Sequence, residues 1–184
     1  MRKGWFIGAA FMGVLTTGQA ALAHIIEYNF VLNSPQVVPG VISPAWGEGY
    51  MAYNHHTVFF SMTIDLHGIF VEDLAASGPN ATPIHMHLAP RGENGPIVVD
   101  LGLWGTFTPT ADGSRFSIAS AFLGGQQGDE IFSDWFQVQT ALFNERIYVD
   151  VHTAQFPGGQ VRGQIPTPAT GLALLGLLAL RRRR

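Results

Sequence analysis

A chain of 184 residues without a single cysteine excludes disulfide frameworks, thiolate nucleophiles, cysteine-based zinc sites and iron–sulfur clusters. The formal net charge of −3 conceals an uneven distribution: Arg2, Lys3 and Arg181 to Arg184 lie at the ends, leaving Arg91, Arg115, Arg146 and Arg162 against thirteen acids. The intervening segment is therefore acidic, with a field that repels nucleic acid and anionic lipid and favours metal cations or neutral ligands.

In chain order, Arg2 and Lys3 precede an apolar, small-residue run from Gly4 to Val14, and Ala21-Leu22-Ala23 supplies a small-x-small cleavage pattern. Residues 1–23 are thus predicted to be a signal peptide, with processing between Ala23 and His24. Cleavage there would place the amine and imidazole of His24 together, a pair able to chelate copper; the plainer view is an accidental histidine at the cut. Residues 24–165 number 142, enough for one domain with one core.

Ile25 to Leu32 alternates loosely, and the Pro/Gly-rich stretch from Ser34 to Gly49 reads as a long loop or irregular edge. From Thr57 to Leu66 the alternation is clear: Val58, Phe60, Met62, Ile64 and Leu66 form one face, and Phe59 is the apolar exception on the other. Ile84 to Leu88, Ile97 to Leu101, Arg115 to Phe122, Arg146 to His152 and Gln160 to Ile165 are further short strands between Gly, Pro and Asn clusters. One helix is expected over Glu130 to Phe143, with Ile131, Trp135, Val138 and Leu142 at helical spacing and Asp129 as its cap. The pattern predicts an all-β domain, an antiparallel, Greek-key-like β-sandwich with one short helix.

The candidate chemistry lies on two of these strands. Ile84, Met86 and Leu88 would face a core and leave His85 and His87 on the opposite side, while Ile147, Val149 and Val151 do the same for Tyr148, Asp150 and His152. If the two strands are neighbours, three imidazoles and a carboxylate share a surface patch, the raw material of a copper or zinc site with His85, His87 and His152 as ligands and Asp150 in support. His55, His56 and His67 are additions without a motif of their own. The plainer alternative, which the sequence favours, has the three histidines hydrogen-bonded to backbone and polar neighbours around a turn. Arg162, brought back by a hairpin through Pro157-Gly158-Gly159, is expected to ion-pair near Asp150 or His152. Ser61, Ser117 and Ser120 lie in no nucleophile-elbow context, so no catalytic residue is assigned.

Four segments together resemble a known family. Pro83-Ile84-His85-Met86-His87, Gly92-Glu93-Asn94-Gly95-Pro96-Ile97-Val98-Val99, Tyr148-Val149-Asp150-Val151-His152-Thr153 and Gly158-Gly159-Gln160-Val161-Arg162-Gly163-Gln164-Ile165 follow, in order, the motifs of the CHRD domain, named for repeats in chordin. Asp150 stands where Asn is usual, Gln160 where Glu is usual, and Leu88-Ala89-Pro90 where a Gly-containing turn is expected. The resemblance implies an all-β domain and no enzyme activity.

The chain ends with Ile165-Pro166-Thr167-Pro168-Ala169, ten apolar residues from Gly171 to Leu180 and the arginines. This tail resembles the PEP-CTERM type of bacterial sorting signal, especially its Val-Pro-Leu-Pro-Ala variant, with Thr167 between Pro166 and Pro168. The resemblance implies a hydrophobic helix, anchoring in the inner membrane and handling by an exosortase-like enzyme. Ten helical residues span only about 15 Å, roughly half a hydrocarbon core. Residues 166–184 are thus expected to be a marginal anchor, with the arginines on the cytoplasmic side. The sequence as a whole predicts an exported, non-enzymatic binding or matrix-associated module for an extracellular protein or polysaccharide, with no nucleic-acid role; its alternative is a copper- or zinc-binding periplasmic or surface protein, conceivably redox-active.

Overall fold

A computed structural model describes residues 25–78, 81–124 and 134–168. Nine strands are arranged as β1 (Ile25–Asn33), β2 (Trp46–Asn54), β3 (Phe59–His67), β4 (Ile84–Leu88), β5 (Ile97–Asp100), β6 (Thr106–Pro109), β7 (Gly113–Phe122), β8 (Ile147–Val151) and β9 (Val161–Gln164), with one helix, α1 (Trp135–Phe143), between β7 and β8. They form a single antiparallel sheet in the order β5-β4-β8-β9-β1-β2-β3-β7-β6. Residues from opposite ends of that order, Met86 and Val149 on one side and Met62 and Phe116 on the other, belong to one buried cluster. A flat sheet cannot bring them together, so the sheet curls until its halves face each other. All-β architecture, antiparallel pairing and one short helix agree with the sequence expectation; the sandwich is made by one continuous, curled sheet.

Alternation explains most strands. In β3, Phe60, Met62, Ile64 and Leu66 are buried as expected. Phe59 stays on the outer side, where it meets Phe122 of β7 edge-on at 5.6 Å. Val58 belongs to the β2–β3 turn, with φ of 57°, and the Asn54 side chain caps that turn by accepting from the backbone of His56 and Thr57.

The expected loop from Ser34 to Gly49 is only partly a loop, because β2 starts at Trp46. Its glycines mark close packing: a Cβ on Gly49 would run into the ring of Phe30, and one on Gly47 would meet Asp65 O and Leu66 Cδ2. Strand interiors accept glycine where another group approaches this closely. Strand β6 is likewise an addition, a short edge ending at Pro109. The helix has Asp134 as its N-cap, in extended conformation, accepting from Phe136 N. A helix continuous from Glu130 is therefore corrected; Glu130 and its expected cap Asp129 lie outside the described residues. So do Ala23, His24 and the apolar tail. Among the described residues no helix is long and apolar enough to cross a membrane.

Candidate metal centre

Strands β4 and β8 are direct antiparallel neighbours, with His85 opposite Asp150, His87 opposite Tyr148 and Ile84 opposite Val151. The alternation therefore divides the pair cleanly: Ile84, Met86, Val149 and Val151 point into the core and the histidines into the space behind it. His152 continues the ladder past the end of β8, donating its backbone N–H to Pro83 O at 2.8 Å. The patch is not on the surface. His85 is fully buried and His152 and Asp150 are 5% and 7% exposed, because the loops after β4 and β8 fold across this face.

Those loops orient the rings. His87 Nδ1 lies 2.9 Å from Gly95 O and His152 Nδ1 lies 2.9 Å from Pro157 O. A carbonyl can only accept, so each Nδ1 donates its proton, and each ring is left with its Nε2 aimed inward. Gly95 lets its loop approach so closely: a Cβ there would collide with Leu88 O. Gly159, at φ 110°, closes the other turn in a conformation that L side chains rarely adopt. Sequence reasoning expected hydrogen-bonded histidines around turns, and for one nitrogen of His87 and of His152 that is what is found.

The remaining nitrogens have no such explanation. His87 Nε2 and His152 Nε2 stand 3.1 Å and 3.2 Å from Asp150 Oδ1, and His85 Nδ1 stands 3.7 Å from it. These contacts are close but not aligned as hydrogen bonds: the Nε2 atoms of His87 and His152, both nitrogens of His85 and Asp150 Oδ1 are buried without a hydrogen-bond partner. Unsatisfied buried polar atoms cost about 1–3 kcal/mol each, and here they point at one another. Burial alone would push the Asp150 carboxyl up, but the surrounding imidazoles, His87 foremost, hold it well below the usual carboxylate range. Burial pulls His152 down, and Asp150 more than reverses this, raising it. Such an arrangement could hold a proton or a cation between its inward-facing atoms.

One ligand atom from each of His85, His87, Asp150 and His152 can be chosen so that all lie within 4.8 Å of one another. Ligands about 2.0–2.1 Å from a tetrahedral ion are about 3.3–3.4 Å apart, a spacing bracketed by the three contacts of Asp150 Oδ1. Three nitrogens and one oxygen suit zinc or copper. The donated Nδ1 protons of His87 and His152 are the outer hydrogen bonds that metal-bound imidazoles ordinarily make. The contacts of all three histidines converge on Asp150 Oδ1. His55 and His56 sit on the β2–β3 turn, and His67 Nδ1 meets Asp112 Oδ2 at 2.6 Å. None of the three joins this group.

Arg162 corrects another expectation. It sits opposite Asp150 in register, yet its guanidinium stacks 3.4 Å above the Tyr148 ring and donates to Glu93 O, Pro90 O and Gln164 Oε1. Tyr148 stacks on His87 with ring centroids 4.8 Å apart. Gln164 Nε2 reaches Ala89 O, Glu145 O and Ile147 O. Sequence reasoning missed this role of Gln164; its only signal was a buried-strand position shared with Arg162 in the last of the four motifs.

The four motifs thus meet at one place, and a model of the CHRD domain matches residues 28–165. The chain belongs to the CHRD domain family. No curated protein and no solved structure matches it.

Proposed function

We propose that this CHRD domain binds one transition-metal ion, copper or zinc, through His85, His87, His152 and Asp150, and that it serves as an exported, non-enzymatic binding module. The observation that carries the metal reading is the inward convergence of unpartnered imidazole nitrogens on one carboxylate oxygen, with two of the rings fixed from behind by backbone carbonyls. Hydrogen bonding alone accounts for the outer nitrogens and leaves the inner ones unpaid.

The export reading rests on sequence: residues 1–23 as a signal peptide, and residues 166–184 as a sorting segment that anchors in the inner membrane until an exosortase-like enzyme acts on it. In this reading the domain works in the periplasm or at the cell surface. A partner-binding role draws support from Trp46 and Tyr50, exposed on the outer side of β2, residue types that stack on sugars or anchor protein interfaces. An extracellular protein or polysaccharide is the proposed partner. Calorimetric titration of the metal-free whole chain with copper and with zinc tests the metal reading. Saturation at one ion per chain supports it; no heat beyond dilution with either metal sinks it.

A further inference from the structure

Resting on that reading, we infer that the centre is a closed, four-coordinate, zinc-type site, sealed by the Ala89–Pro96 loop and kept shut by Arg162, so that the ion acts as a permanent cross-link and not as a reaction centre. Three observations lead there. The inner donor atoms are buried, and the protein itself supplies four of them, the number that fills a tetrahedral ion; catalytic zinc sites instead leave a position for water or substrate. The donor set is three imidazoles and a carboxylate, and Met86, between His85 and His87 in sequence, is buried in the apolar core on the other face of the strand.

The third observation is how the loop is fastened. His87 holds Gly95 O, Tyr148 Oη accepts from Gly95 N at 3.4 Å, and Arg162 holds Glu93 O at 2.7 Å and Pro90 O at 3.2 Å. His87, Tyr148 and Arg162 form one stack, with ring centroids of the first two 4.8 Å apart and the guanidinium 3.4 Å above the second. The hydrogen bonds of Arg162 go to Glu93 O, Pro90 O and Gln164 Oε1; it secures the loop whose carbonyl aims His87. It is a positioning residue, and its removal should change how long the ion stays without changing how many ions bind. A cysteine-free exported domain gains from such a staple what others obtain from disulfides. The ion would link β4 and β8 directly, and the two following loops through the histidine Nδ1 bonds.

The test is release of cobalt(II), a spectroscopic substitute for zinc, from the whole chain into excess chelator, comparing wild type, Arg162→Met and Tyr148→Phe. The expected result is an intense tetrahedral cobalt spectrum unchanged by azide in the wild type. Release should be about 10- to 100-fold faster in Arg162→Met and intermediate in Tyr148→Phe, which keeps the stacked ring and loses only the hydroxyl. All three should still bind one ion. A five- or six-coordinate spectrum that shifts on adding azide, or equal release rates in all three proteins, overturns the closed site while leaving metal binding intact. Failure of the wild type to bind any ion overturns both. Should Arg162→Met fail to fold, the rate of Tyr148→Phe decides alone.

Discussion

Two histidine–carboxylate groups among the described residues, one exposed and one buried, make an instructive contrast. At the far end of β3, His67 meets Asp112 at 2.6 Å, stacks on Trp46 with centroids 4.2 Å apart, and sits near the Arg115–Asp65 pair. Every group there is at least partly exposed and directly bonded to its partner. Behind β4 and β8, three histidines surround one buried carboxylate oxygen within ion-pair range, and their inner nitrogens make no aligned hydrogen bond. Water can satisfy the first group at little cost, whereas the second must be satisfied from within. The same two residue types therefore make self-satisfied surface pairs in one place and a buried, unsatisfied cluster in the other, and burial together with the tautomer-fixing carbonyls makes the difference.

Breaking the buried group should have by far the larger effect. Asp150→Ala leaves three imidazoles without their shared anion, and is expected to abolish metal binding and to destabilise by about 3–5 kcal/mol, read from denaturant unfolding of the variant and the wild type, both metal-free. Asp112→Ala should leave metal content unchanged. Next in size is Gln164→Leu, which removes the amide donor from the carbonyls of Ala89 and Glu145, while Ile147 O keeps the Ile165 N–H, and should cost about 1–3 kcal/mol. Its metal content should stay at one ion, which unfolding curves and metal analysis on the same sample would check.

The smallest effect is expected at the exposed pair. The Arg115 hydrogen bond holds the Asp65 carboxyl below its usual value despite slight opposing burial. A carboxylate lowered in the folded state contributes stability above its unfolded value, about 3.9, and loses it as pH falls through the folded value. Asp65→Asn should therefore flatten stability slightly below about pH 4, by no more than about 0.5 kcal/mol, and salt should erase the difference. A large, salt-independent loss there would remove the contrast between the two regions.

Much of this was legible in the sequence because strands alternate. The phase of His85 and His87 against Ile84 and Met86, and of Asp150 and His152 against Val149 and Val151, needed only β4 and β8 to be neighbours. What alternation cannot supply is burial of the outer face. Loops cover it, and no periodicity shows where a loop will lie, so a surface patch was expected where the side chains are buried. The same gap hid the task of Arg162: its register beside Asp150 suggested an ion pair, while the carbonyls it serves belong to a loop some seventy residues earlier. Strand β2 escaped notice because Gly47 and Gly49 read as breaks, although they mark where Leu66 and Phe30 fill the space of a missing side chain.

The most direct measurement is the metal content of the chain purified without a histidine tag, beside a His85→Ala/His152→Ala variant. The account predicts one zinc or copper ion per wild-type chain and none in the variant. No stoichiometric metal in the wild type after loading with either ion, or equal content in both proteins, would contradict it.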